Sequence, residues 1–116
     1  MPQFLIAIHR PPGYNPVTAE DASMTQQIDD LNTAMRSAGI IVFVGGLMPP
    51  RSARSIRIHK NGEAIIKQGL YLNSSDHVDG FWVVETTNLD EALSWGQKAA
   101  IACRAAVEVR PFHSIS

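Results

Sequence analysis

With 116 residues, 45% of them hydrophobic and 18% charged, the chain is sized for one domain spanning 1–116 and is too apolar to be disordered. Ten Lys plus Arg against eleven Asp plus Glu leave a net charge of −1, which argues against nucleic acid as partner and against a solvating acidic tail. The lone Cys103 excludes an internal disulfide and a Cys-rich metal site, and the longest apolar stretch, Ile40–Val44, falls far short of the ~20 residues a membrane span needs.

The N-terminal MPQFLIAIHRPP lacks the basic start and long apolar run of a signal peptide, so a cytoplasmic protein is expected. Gln3–Ile8 is a short apolar run closed by Pro11-Pro12-Gly13, which predicts a buried strand and a loop. Thr18 is placed to cap a helix with Glu20 and Asp21 in its first turn. Met24, Ile28, Leu31 and Met35 then recur on one helical face, and Gly39 is a natural stop. Ile40–Val44 predicts a second strand, ended by Gly45-Gly46. Alternation over Ser55–His59, the Asn61-Gly62 pair and Ala64–Ile66 predict a hairpin with a two-residue turn. Asn73–Asp79 is polar and predicts a loop, and Phe81–Glu85 predicts a strand. Asn88 and Glu91 suit the cap and third position of a helix whose apolar face holds Leu89, Ala92, Leu93, Gly96, Ala99, Ala100 and Cys103. Ala106–Arg110 is the last strand, stopped by Pro111.

The order β, α, β, hairpin, β, α, β predicts an α+β fold of ferredoxin-like, split-βαβ type, with an antiparallel sheet and both helices on one face. The strands at Phe4–Ile8, Ile40–Val44 and Phe81–Val84 are apolar on both sides, whereas a sheet with one wet face should alternate. Two helices hide one face, so something else must hide the other. Roughly eight to ten side chains at about 1.5–3 kcal/mol each would outweigh the ~4–15 kcal/mol cost of association. A homodimer with facing sheets is therefore expected. The alternative cover is the chain's own loops, Pro11–Pro16, Leu47–Arg54 and Leu70–Val78.

Several segments resemble the YCII-related family, in the branch named for an Asp-Gly-Pro-Phe (DGPF) motif. They are Ala38-Gly39-Ile40 leading into Gly45, Gly46, Leu47, Pro49 and Pro50, then Ser55-Ile56-Arg57, Gly80 to Glu85, Leu89 to Trp95, and Val107 to Pro111. The resemblance implies a dimeric α+β barrel. It also implies small-molecule chemistry, since a few relatives degrade aromatic compounds, or a link to extracytoplasmic-function sigma factors. The motif itself reads Gln68-Gly69-Leu70-Tyr71 here, so an amide stands where the family has a carboxylate, and Gln68 cannot act as a base. Asn73 and Ser75 replace charged residues after it, and only Asp76 keeps an acid.

Four His are present, and none is spaced as a helical metal site, so no metal or cofactor is expected. His9 shares a strand face with Leu5 and Ala7 and is a weak catalytic candidate at a cleft mouth; the plainer reading is a strand-end His capping a loop. His77, between Asp76 and Asp79, is the other weak candidate for acid–base work, against an inert exposed His. Gln68, Tyr71 and Asp76 are the candidate ligand-pocket residues, against a turn around Gly69. His59 and His113 read as solvated, Cys103 as a buried hydrophobe, and Arg51, Arg54 and Arg57 as a modest basic patch. Two functions fit. One is a small-molecule-binding barrel that could act as a cofactor-independent isomerase or lyase on a small organic acid or aromatic compound. The alternative is a non-catalytic regulatory or interaction module.

Overall fold

The computed structural model describes residues 1–114; the last two residues of the expected 1–116 domain lie outside the described residues. The elements in chain order are β1 (Gln3–Arg10), α1 (Pro16–Ala19), α2 (Ala22–Ser37), β2 (Ile41–Gly46), a 3₁₀ turn (Pro50–Ser52), β3 (Arg54–Ile58), β4 (Ala64–Gln68), β5 (His77–Glu85), α3 (Leu89–Cys103) and β6 (Ala106–Pro111). β1, β2, β5 and β6 form one sheet in the order β2-β5-β1-β6, antiparallel throughout, and β3 pairs with β4 alone. The fold is α+β.

One face of the sheet carries the core. Phe4 and Ile6 of β1 and Trp82 and Val84 of β5 pack with Leu31 and Met35 of α2 and with Ala92, Ala99 and Cys103 of α3. Period-2 alternation explains this face, since Phe4 pairs with Val84 and Ile6 with Trp82. The Trp82 indole N–H donates to Asn32 Oδ1 at 2.8 Å, so its buried polar edge is satisfied. α3 lies close to the sheet because its inner face is small. A Cβ at Gly96 would come 2.5 Å from a Val109 methyl.

Four local expectations need correction. Thr18 does not cap the long helix: Asn15 caps the short α1, with Pro16 as its first residue, and Asp21 caps α2 by accepting from Met24 N–H at 2.8 Å. The β3–β4 turn is not a two-residue turn. His59 N–H donates to Glu63 O, and the φ of +86° falls at Gly62 alone, which makes a three-residue loop with glycine in its left-handed position. His77–Asp79 is strand, because Arg10 extends β1 far enough to pair with His77. Leu89 and Leu93 face solvent, and Ala102 takes the inner position. The capping at Asn88 does form: its side chain accepts from Glu91 N–H, and the Glu91 carboxylate reaches back to Thr87 N–H, both at 2.9 Å. Gly39, at φ +71°, closes α2 as read, with Gly39 N–H on Arg36 O and Ile40 N–H on Met35 O.

The other sheet face carries Leu5, Ala7, His9, Phe81, Val83 and Phe43. Phe43 is 53% exposed, and its ring lies 5.7 Å from that of Phe81. The molecule measures 49 × 44 × 19 Å, a flat two-layer slab. No described helix is long and apolar enough to cross a membrane.

Two measurements test this packing. Gly96→Ala gains about 1 kcal/mol in helix propensity but forces overpacking worth about 1–3 kcal/mol, so its urea midpoint should fall. Adding Val109→Ala should relieve the clash, giving a favourable coupling in the double variant. Asp21 supplies the second test. Its carboxyl is held below the usual range, first by Met24 N–H and then by Arg104, whose guanidinium lies 3.1 Å away. A depressed folded pKa means the stabilisation is present above the ordinary carboxylate range and is lost as pH falls through the folded value. Asp21→Asn keeps the acceptor but not the charge. The Tm gap between wild type and this variant should therefore narrow on acidification below about pH 4.

Candidate functional site

The C-terminal ends of β1 and β2 and the start of β5 lie at one end of the sheet. A bulge in the β1–β5 ladder falls between Ile8 and His9, so Gly80 pairs with Ile8 and Val78 with His9 while Asp79 is left out of the ladder. The Asp79 carbonyl turns to Leu47 N–H at 2.7 Å instead. Three loops gather here: 11–15 after β1, 47–53 after β2, and 69–76 after β4.

Arg10 binds the first of these loops to the body. Its guanidinium is 95% buried on a residue basis, with Nη1 donating to Cys103 O at the end of α3 at 2.6 Å. A cation at a helix C-terminus meets the negative end of the dipole. Asp79 Oδ2 lies 3.8 Å from Nε, an ion pair without a direct hydrogen bond, and the Tyr14 ring stacks 4.3 Å from the guanidinium carbon. The Tyr14 hydroxyl donates to Glu20 at 2.8 Å. Burial, then this bond, push the phenol up to about 12, so Tyr14 is a neutral donor at physiological pH. Burial likewise pushes the Cys103 thiol up to about 11, which leaves it inert.

Between the three loops lies an open cleft of about 850 Å³. The 11–15 loop contributes Pro12, Tyr14 and Asn15 to its lining, the 47–53 loop Pro49, Pro50 and Arg51, and the end of β4 with the loop after it Gln68, Leu70, Leu72, Asn73 and Ser74, beside His77 of β5. A second hollow of about 230 Å³ shares Pro50, Leu70 and His77 with it. Among the described residues lining the larger cleft, Arg51 and His77 are the only ones with ionisable nitrogen side chains, and none carries a carboxylate. The Gln68 amide donates to Arg51 O at 3.2 Å, and Gly69 N–H donates to Ala53 O at 2.8 Å. The end of β4 thus braces the Pro49–Ala53 wall.

Of the residues singled out in the sequence, Gln68 and His77 come together in this cleft. Tyr71 and Asp76 lie outside its lining: Tyr71 is exposed with Arg57 5.8 Å from its ring, and the Asp76 carbonyl accepts from Ser74. His9 lies on the open sheet face, as its alternation implied. Its Nε2 is 3.6 Å from Glu108, buried and without a hydrogen bond. Tyr14 and Arg51 are cleft residues that sequence reasoning missed or discounted, and it also missed Arg10, which lies behind the lining. The signal available for Tyr14 was the Arg-Pro-Pro-Gly-Tyr run closing the first strand. Among the described residues no three His, Cys, Asp or Glu side chains gather as a metal site.

No protein-family model matches the chain. It is 28% identical over 94 residues to an uncharacterized protein of Rhizobium meliloti (strain 1021), an alignment that covers 79% of this chain and 75% of that one.

Arg10 supports the cleft wall from behind, and its loss is measurable. Arg10→Met keeps much of the side-chain volume but strands Cys103 O and Asp79. A charged hydrogen bond of this kind is worth about 1.5–3 kcal/mol, so thermal unfolding should drop by that much. Limited proteolysis should then cut first within 11–15, and cleavage distributed as in wild type would show that the arginine does not hold the loop.

Proposed function

We propose that this is a small-molecule-binding protein whose cleft takes a small organic acid with an apolar, aromatic body. The carrying observation is the cleft lining itself. Proline, leucine and tyrosine residues line it together with Arg51, His77 and the neutral polar Asn15, Gln68, Asn73 and Ser74, with no carboxylate on the described lining to repel an anion. A guanidinium recognises a carboxylate through paired N–H donors, and apolar walls supply the remaining affinity. The resemblance to the YCII-related family, DGPF branch, is consistent with this reading.

The same proposal includes a ferredoxin-like, dimeric α+β barrel acting in the cytoplasm. The strand order β2-β5-β1-β6 and the packing of α2 and α3 on one face support the ferredoxin-like part. The apolar row Leu5, Ala7, Phe81, Val83 and Phe43 on the other face supports a second sheet as its cover.

Binding is the primary activity in this reading. Gln68 spends its amide on the Arg51 carbonyl and has no proton to exchange, which favours a ligand-sensing or regulatory module over an enzyme. Catalysis as an isomerase or lyase would rest on His77, the one cleft side chain of a type that exchanges protons near neutrality.

Thermal shift with benzoate and phenylacetate, against their neutral amides, tests the proposal. At 100 times Kd a ligand stabilises by about 2.7 kcal/mol, a shift of many degrees for a domain of this size. The carboxylates should raise Tm and the amides should not. Arg51→Ala should abolish the shift, while His77→Ala should weaken it. Equal response to acids and amides, or a shift that survives Arg51→Ala, would overturn the anion site.

A further inference from the structure

The β3–β4 hairpin stands apart from the body. Its strands pair only with each other and touch the helices and the main sheet sparsely. Ile56 pairs with Ile66 and Ile58 with Ala64, so one face of the ribbon is aliphatic. Yet Ile56, Ile58 and Ile66 are 62%, 66% and 65% exposed. A two-stranded ribbon is marginal alone in water, and three adjoining isoleucines exceed the scatter of single apolar residues on a normal surface.

The size of the whole molecule says how much cover is missing. Its accessible surface is 8087 Å², whereas a folded monomer of 12.7 kDa exposes about 6,200 Å². The radius of gyration is 16.3 Å, against about 13 Å for a domain of this length. The excess is about 1,900 Å² per chain, or about 3,800 Å² for two, which lies within the 2,000–5,000 Å² range of obligate homodimers. Charge also favours a second copy. Residues 54–68 hold Arg54, Arg57, Lys60 and Lys67 against Glu63, a net +3 within a chain of net −1, so the body carries −4. An arm of one sign meets a body of the other in its own twin.

We propose that the β3–β4 hairpin is an intersubunit arm, its Ile56, Ile58 and Ile66 face buried against a second copy of this chain. The inference rests on the dimer reading for the presence of the second copy and adds which segment reaches across. Light scattering after gel filtration, with hydrogen exchange followed by mass spectrometry, tests it on the full chain. The wild type should be a dimer at micromolar concentration with amides 54–68 protected. Ile56→Thr with Ile66→Thr keeps β-branched residues and loses the aliphatic face. It should dissociate at least tenfold more readily and lose protection at 54–68, and Ile58→Thr alone should fall between. A double variant that dimerises as the wild type does, with protection at 54–68 unchanged, overturns the arm and leaves the facing-sheet dimer standing. A dimeric wild type whose hairpin amides exchange freely overturns it as well. A monomeric wild type overturns both the arm and the dimer.

Discussion

A four-stranded sheet with only two helices to cover it has one face to spare, and that constraint shapes the rest of this molecule. The helix side is solved by closeness. Gly96, Ala92 and Ala99 let α3 settle onto β1 and β6, and Trp82 fills the space under α2 with its indole nitrogen answered by Asn32. The far side is not solved within the chain. Leu5, Phe81 and Val83 sit half-buried in a row, and the loops that might have folded over them gather at the end of the sheet instead. A slab 19 Å thick is the thickness of one sheet and one helix layer.

The gathering of loops has a mechanical cause. β1 runs past its bulge to Arg10, and Arg10 ties four groups together: the α3 terminus, Asp79, the Tyr14 ring and, through Tyr14, Glu20. Burying a guanidinium is costly unless its donors and its charge are answered, and here the helix dipole, a carboxylate and an aromatic face share the task. The loop after β1 is therefore held as a wall. Across the cleft, Gln68 and Gly69 hold the opposite wall through two backbone carbonyls.

Features encoded by neighbours in the chain were legible in the sequence. The cap at Asn88 and Glu91 could be read because its partners are three residues apart, and the stop at Gly39 because only glycine takes that backbone turn readily. The start of α2 was misread because Thr18, Glu20 and Asp21 all suit a helix N-terminus; Pro16 nucleates a separate turn, which leaves the cap to Asp21. His77 to Asp79 read as loop because polar residues dominate them, whereas their strand comes from pairing with a stretch some seventy residues earlier. Leu89 and Leu93 were placed inward by periodicity, but small residues, Ala92, Gly96, Ala99 and Ala102, fill most of the inner face of α3 where it presses on the sheet. Gln68 and His77 were singled out in the sequence, and both line the cleft. Arg10 was not, since its partners Cys103 and Asp79 are distant in sequence.

The amide at position 68 connects the cleft to the hairpin. A carboxylate there would face the Arg51 carbonyl with no hydrogen to give, and the wall at Pro49–Ala53 would lose a tie. With glutamine the position becomes a strut at the base of β4, directly continuous with the aliphatic ribbon. Whatever steadies the ribbon steadies Gln68, and through it the Arg51 main chain on the cleft wall. Position 68 is thus mechanical: its amide ties the end of the hairpin to the Pro49–Ala53 wall.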